Sequence, residues 1–388
     1  MKKGAVLTRI VADAREFHHQ NYGEYPFVMV SAPGYVNVFG DFTESAPGFL
    51  VQFSLAQRLV VSLSPRSDNQ VRFVSREFNE KKRCTLQTLK YRKEDRWANY
   101  PKGALAHQWD GVGQQGINLS IVSDIPINAG FSSSQALTIA SVLAVSELRG
   151  FRLDFQDAAR LANQIESEFV KNNCHPSSFT AMISSKHHEI LIHDLKNQKL
   201  ETVDFAENPQ FFLLQTSLPH TVFDGFLNDV LIEIKKLSQY LEGIRPGQTL
   251  SDFDKSDIKS LLGKMPEDLR RKALFITDEI TRSKEAAHLI QVHDWKTLGR
   301  LMIRAHEGLR DLFEISCPEI DWLVKRVSDL QGVYGARMIS NGAGSSILVL
   351  AEQDIQHPIK SILEEYERIF SFHPVLLPTY PSPKVEFH

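Results

Sequence analysis

The stretch from Asp124 to Leu137, Asp-Ile-Pro-Ile-Asn-Ala-Gly-Phe-Ser-Ser-Ser-Gln-Ala-Leu, constrains this chain more than any other. It reads as a strand end, a loop of small residues and the opening of a helix. Leu137, Ala140, Ala144 and Leu148 recur at helical spacing, and Gly150 is a stop signal. Small residues at 128–130 let the backbone approach a ligand closely. Ser132, Ser133 and Ser134 then open the helix, where unpaired N–H groups and the helix dipole favour an anion. Their hydroxyls are hard oxygen donors of the kind Mg²⁺ prefers. The local physics is that of a phosphate cradle. Serines also cap helices that bind nothing. The stretch has neither the lysine of the GxxxxGK[ST] loop nor the full GxGxxG dinucleotide pattern.

A chain of 388 residues suits two or three domains and can bury a sizeable core. Apolar residues make up 42% and charged residues 23%, as in ordinary globular proteins. The net charge of −3 gives no electrostatic case for nucleic acid or an anionic membrane. Cys84, Cys174 and Cys317, an odd and sparse set, argue against a disulfide framework and for a reducing compartment. No apolar run approaches the roughly 18 residues of a membrane span. Met1-Lys2-Lys3 is basic, but Arg9, Asp13 and Arg15 break up the apolar residues beyond it, so no secretory signal is expected. The expectation is a cytoplasmic monomer.

Along the chain, Val6, Ile10, Ala14 and Phe17 predict a helix over 5–17. Strands are predicted at 27–30 and 35–39 around a Pro33-Gly34 turn, then at 49–55, 59–63, 71–74 and 117–121. A helix near 154–172 and a strand at 189–192 come next. Strands and helices mix without regular βαβ alternation, which predicts an α+β fold. The polar stretch Asp194–Asn208 is the candidate boundary, giving domains 1–205 and 206–388. The second half opens with a strand at 211–214 and an amphipathic helix carrying Phe226, Val230, Ile234, Leu237 and Leu241. Helices dominate from about 265 to 330. A small-residue loop, Ser340–Ser346, leads into a strand at 347–350, and Pro378–Pro383 reads as an extended surface segment.

Pro126-Ile127-Asn128-Ala129-Gly130-Phe131-Ser132-Ser133-Ser134 resembles the P-x-G-x-G-L-S-S-S phosphate loop of the GHMP small-molecule kinases, in its galactokinase version, with Asn128 at the first glycine. Ala32-Pro33-Gly34-Tyr35-Val36-Asn37-Val38-Phe39-Gly40-Asp41-Phe42-Thr43-Glu44 resembles the family's A-P-G-R-V-N-L-I-G-E-H-T-D. Trp97 to Gly103 resembles W-x-x-Y-V-K-G. Gly299-Arg300-Leu301-Met302, His306, Leu309-Arg310-Asp311 and Ser316 to Asp321 resemble G-R-L-M…H…L-R-D…S-C-P-E-L-D. Gly335-Ala336-Arg337-Met338 through Gly344 resembles the third family motif, G-A-R-M-T-G-G-G-F-G.

The resemblance implies a two-domain GHMP fold with ATP and a sugar in the cleft between the domains. It implies that Asn128 to Ser134 wrap the ATP phosphates and that Ser133 or Ser134 meets Mg²⁺. Glu166, matched through Glu166-Ser167-Glu168-Phe169 to the family's E-H-x-F, is the implied carboxylate ligand. The loop of Asn341, Gly342, Ala343 and Gly344 would line the phosphoryl-transfer site. Asp41, Phe42, Thr43, Glu44 and, through a looser match, Phe226 would form the sugar pocket.

The departures concern chemistry. Where the family has an arginine that stabilises the ionising sugar hydroxyl, this chain has Tyr35. Where the family's C-G-I-M-D-Q-F supplies the catalytic aspartate, this chain reads Cys174-His175-Pro176-Ser177-Ser178-Phe179. A gapless match puts Ser178 at the base position, and a one-residue shift puts Ser177 there. A serine hydroxyl is a poor proton acceptor at neutral pH; His175 is a neighbouring substitute. E-H-T-D becomes Asp41-Phe42-Thr43-Glu44, which moves two carboxylates by a methylene each and removes a histidine. A pocket that loses polar partners binds a galactose-like polyol less well. Two functions are compatible with these residues: ATP- and Mg²⁺-dependent phosphoryl transfer to a small sugar, or a galactokinase-like sensor that holds nucleotide and sugar with little turnover. Much of phosphoryl-transfer catalysis is positioning and charge neutralisation, which favours the enzyme.

Overall fold

The computed structural model describes residues 4–108, 115–172, 174, 176–205, 209–219, 226–340 and 346–388. Strand β1 (Val28–Phe39) is buried at every position, because both of its faces are covered. Helix α1 (Gly4–Tyr22) lays Ile10 and Ala14 against Met29, Val60 and Val122 on one face. Val28, Val30 and Val61 face the main core on the other, the period-two alternation of a strand.

β1 pairs antiparallel with the long β2 (Phe49–Pro65). β3 (Gln70–Ser75) and β4 (Glu80–Thr85) form a hairpin, and helix α2 (Asn99–Gln108) leads to β5 (Ile117–Ser123). Helices α3 (Ser133–Leu148), α4 (Phe155–Gln164) and α5 (Ser177–Ser184) come next, then β6 (Glu189–Asp194) and β7 (Lys199–Asp204). The strand order is β12-β1-β2-β5-β3-β4, with β6 beside the first end of β2 and β7 beyond it. β12 (Glu386–Phe387) is the last strand of the chain, returned to the first sheet.

The second half builds an antiparallel sheet from β8 (Gln210–Gln215), β9 (Val333–Met338), β10 (Ser346–Ala351) and β11 (Val375–Thr379), in the order β11-β8-β10-β9. Around it lie α6 (Phe226–Ile244), α7 (Lys255–Ser260), α8 (Glu267–Gln291), α9 (Trp295–Asp311), α10 (Pro318–Ser328) and α11 (Gln356–Phe370). Phe212, Leu214, Ile347 and Val349 face this half's own core. Phe211, Leu213, Leu348 and Leu350 join the core of the first half, and Phe211 stacks on Phe53 at 4.9 Å. The small sheet is therefore a wall shared by two cores. Where α9 crosses β9, a Cβ on Gly299 would sit 2.0 Å from the Tyr334 carbonyl oxygen and one on Gly335 2.1 Å from that of Gly299, so both positions need glycine.

The α+β architecture expected from the irregular alternation is present, with local corrections; the strands expected at 49–55 and 59–63 are one, β2. Pro33-Gly34 is not a turn: β1 runs through it with a register shift between Pro33 and Tyr35. Glycine suits the close approach there, since a Cβ would meet Leu55 Cδ1 and the Phe131 carbonyl oxygen, each at 3.0 Å. The proline-rich end is not a surface segment. Thr379 and Ser382 are buried, and the buried Arg58 guanidinium donates to the carbonyls of Pro383 and Lys384, each at 2.7 Å. The Ser382 N–H also donates to the Ser54 carbonyl, and the Pro381 carbonyl accepts from the His188 N–H.

Candidate active site

The 124–132 loop is laid onto β1 by a hydrogen bond from the Tyr35 N–H to the Phe131 carbonyl at 3.1 Å. Asn128, Gly130 and Ser132 have φ of 57°, 76° and 58°. Repeated left-handed residues coil a backbone so that N–H groups gather on one concave side, the geometry of an anion nest. Asn128 replaces a glycine at such a position, and asparagine tolerates it better than most residues do. Ser132 caps α3 without a side-chain capping bond, so its hydroxyl is not committed to the helix. Ser132, Ser133 and Ser134 are half-buried. Nearly every residue of α3 from Gln135 to Ser146 is buried, which anchors the loop to the centre of the first core.

Glu166 faces this helix opening from the expected helix near 154–172, which changes character: α4 runs into a π-helical turn at Ile165–Val170. Such turns recur at functional sites. The Glu166 side chain is fully buried. Thr138 Oγ1 donates to its Oε1 at 2.7 Å and Asn172 Nδ2 to its Oε2 at 2.8 Å. Burial pushes its carboxyl up to about 7, against the pull of those two bonds. Burial also pushes the neighbouring Cys174 thiol up to about 12; Glu166 and, less strongly, Glu44 add to that rise.

The first motif closes β1. Phe42 has φ of 62°, and its ring stacks on Phe313 at 4.5 Å, so it packs into the second half's core where the family has a polar histidine. Thr43 Oγ1 donates to the Gly40 carbonyl at 2.9 Å. Asp41 is buried and paired with the buried Arg337, which also reaches Glu279 at 3.3 Å and the Val38 carbonyl at 2.8 Å. Glu44 accepts a hydrogen bond from Ser177 Oγ at the start of α5.

Tyr35 is buried and its hydroxyl bonds to Asn37 Oδ1 and, at 2.9 Å, to Gln52 Oε1. It stands opposite Ser54, whose hydroxyl donates to the Ala181 carbonyl of α5 at 3.2 Å. Through Ser54, the strand position opposite Tyr35 is joined to α5, the helix that carries Ser177 and Ser178. Ser177 and Ser178 are both buried. Gln52 Nε2 has no hydrogen-bond partner among the described residues.

The fold bonds Glu166 to α3 through Thr138, and the 41–44 turn to Ser177. Phe226 opens α6, but its side chain lies outside the described residues, as do His175 and Asn341, Gly342, Ala343 and Gly344. Sequence reasoning missed Thr138, Asn172, Glu279 and Arg282, which hold the acids in place. Thr138 stands one helical turn after Ser134, a signal that could have found it; Glu279 has no such signal. Among the described residues no group of three or more His, Cys, Asp or Glu is arranged to hold a metal. Mg²⁺ carried by a nucleotide's phosphates needs only one or two protein oxygens, and Ser133, Ser134 and Glu166 fit that chemistry.

Comparison with known proteins matches three segments of the chain. Residues 99–186, with the phosphate loop, Glu166 and Ser178, match the GHMP kinases N terminal domain. Residues 286–367 match the GHMP kinases C terminal domain. Residues 16–65, with Tyr35 and the 41–44 turn, match the galactokinase galactose-binding signature. A galactokinase of Thermotoga maritima is 30% identical over 345 residues, covering 88% of this chain and 94% of that protein. The galactokinase of Homo sapiens is 26% identical, covering 95% of each. In fold, the chain is similar to Lactococcus lactis galactokinase complexed with galactose, with a TM-score of 0.88 at 20% identity over 97% of this chain and 99% of that one. Methanococcus jannaschii mevalonate kinase is more distant, at a TM-score of 0.65 and 16% identity, over 91% of this chain and 98% of that one.

Proposed function

This chain belongs to the galactokinase family of the GHMP kinases, and from that premise we propose that it transfers the γ-phosphate of ATP, with Mg²⁺, to a hydroxyl of galactose or a closely related small sugar. What supports the reading is that the buried Glu166 is bonded to α3, the helix the phosphate loop opens, while Glu44 of the sugar motif is bonded to Ser177 at the start of α5. The left-handed loop residues and the opening of α3 would hold the phosphates. Ser133 or Ser134 and Glu166 would hold Mg²⁺, which when bound supplies charge neutralisation at the transferring phosphoryl group. Thr138 and Asn172 orient the Glu166 carboxylate for that role. Asp41, held by Arg337, and Glu44 face the sugar side. We place the division of the two domains at 205/206, with β12 returning to the first. Three free cysteines support a reducing, cytoplasmic setting, and the protein is proposed to act as a monomer.

With Tyr35 in place of the arginine and Ser178, or Ser177 on a one-residue shift, in place of the aspartate, turnover of galactose is expected above the uncatalysed rate and below that of family members that keep both. The test is ADP release by the purified chain with Mg·ATP and a panel of hexoses. Sugar-dependent ADP release supports the reading. Tight Mg·ATP binding with no sugar-dependent ADP assigns the chain to sensing instead.

A further inference from the structure

Neither Ser177 nor Ser178 is a carboxylate, yet a carboxylate reaches this end of α5: Ser177 Oγ donates to Glu44 Oε1. Ser177 is 2% exposed and Glu44 is half-buried, so the contact is buried on the serine side. Glu44 projects from a tight turn at Thr43–Ser45. That turn is fixed from both sides, by the Phe42 ring on Phe313 and by the Thr43 hydroxyl on the Gly40 carbonyl at 2.9 Å. A rigid origin and one methylene more than aspartate carry the Glu44 carboxylate onto the first turn of α5, whose positive end attracts it. The other acids of the cleft have separate duties: Asp41 is paired with Arg337, and Glu166 is bonded by Thr138 and Asn172.

We propose that Glu44, acting through the Ser177 hydroxyl, is the proton acceptor for the sugar hydroxyl. This rests on the sugar-kinase reading above. As the sugar oxygen bonds to the γ-phosphorus, the bond from that phosphorus to the β,γ-bridging oxygen breaks, and ADP leaves with its electron pair. The sugar hydroxyl proton passes to Ser177 Oγ while the Ser177 proton passes to Glu44. Glu44 returns its proton to water after the products leave. The base has moved, in effect, from the helix to the turn that faces it. Ser177 touches the sugar oxygen and relays the proton; Glu44 stores it.

The test uses the full chain with galactose and Mg·ATP and compares wild type with Glu44→Gln, Glu44→Asp, Ser177→Ala and the double variant Glu44→Gln/Ser178→Asp. General-base help is worth about 10²–10⁴-fold, so Glu44→Gln is expected to lower kcat by that factor. Its affinity for Mg·ATP should be unchanged, and the acid limb of the kcat–pH profile should vanish. Glu44→Asp, which keeps charge and shortens reach, should lower kcat with the limb retained. Ser177→Ala should also lower kcat with the limb retained. Moving the carboxylate to position 178 should recover part of the loss. A higher KM for galactose with wild-type kcat and pH profile in Glu44→Gln would make Glu44 a hydroxyl-binding group and overturn the proposal. If Glu44→Gln does not fold, wild-type kcat in Glu44→Asp would overturn it. A wild type that forms no sugar phosphate fails the sugar-kinase reading itself, before any variant is compared, and the proposal falls with it.

Discussion

Arg337, near the end of β9, donates to Asp41, which follows Gly40 after the end of β1. The pair joins the sugar-motif turn to the strand that delivers the third motif, across two sheets. Burial works against the Arg337 charge; the Asp41 and Glu279 carboxylates and the Val38 carbonyl oppose that cost. Arg282 completes the cluster, bonding Glu279 at 2.8 Å.

Removing one member of such a cluster leaves a buried charge uncompensated, which costs about 3–5 kcal/mol. Arg337→Met is expected to destabilise the chain by that amount in urea unfolding. Arg337→Met/Asp41→Asn should cost less than the sum of the two single changes, because the orphaned carboxylate is then gone. Additive losses would mean that the pair is not coupled.

Glu166→Gln is expected to weaken Mg·ATP binding far more than Mg-free ATP binding, measured by calorimetry with and without chelator. Thr138→Val removes a donor to the same carboxylate and should weaken Mg·ATP about 10–100-fold, as loss of such supporting partners does. Equal weakening of both nucleotide forms would take Glu166 out of the metal site.

Asn128 is the one departure from glycine inside the phosphate loop, at a φ of 57°. Asn128→Ala should cost about 1–2 kcal/mol from the left-handed strain on a side chain that cannot relieve it and should loosen ATP. Asn128→Gly should bind ATP at least as well as wild type. Thermal unfolding and nucleotide titration together read both effects.

His18 is fully buried between Ser120 and Ser64, at 2.9 Å from each. Burial lowers its pKa from 6.5 to about 4, although the nearby Glu24 charge works the other way. A base whose folded pKa is depressed contributes stability that is whole above 6.5 and is lost as pH falls toward 4, by up to about 3 kcal/mol at 1.36 kcal/mol per unit. Wild type should therefore lose more stability between pH 7 and 4.5 than His18→Gln does. Equal losses would show that His18 does not titrate in this window.

The α+β class, β8 and β10 of the second sheet, and the loop-to-helix step at 124–137 were legible because periodicity and small-residue punctuation are local. Ser132 to Ser134 announced a helix start and lie at one. The Pro33-Gly34 error has a physical source: proline and glycine mark turns by their backbone preferences, but here glycine serves a close crossing with Phe131 inside one strand. The buried Pro378–Pro383 segment was illegible because residues distant in sequence, Arg58 among them, supply the bonds that tie it down. The supports of the site were hidden for the same reason. Glu279 reads as an ordinary helical glutamate until the fold carries Arg337 and the Gly40 N–H to it, the latter at 2.9 Å. Phe42 reads as a lost polar contact, and only its stacking on Phe313 shows what it does instead.

The most direct test of the sugar-kinase reading tracks phosphorus. The purified chain is incubated with galactose, Mg²⁺ and ATP labelled at the γ-phosphate, and the products are separated. The expected result is label on a galactose phosphate in one-to-one proportion with ADP, formed slowly and abolished in Glu166→Gln. Label found only in ATP and inorganic phosphate, with galactose and each of its close relatives, would contradict that reading.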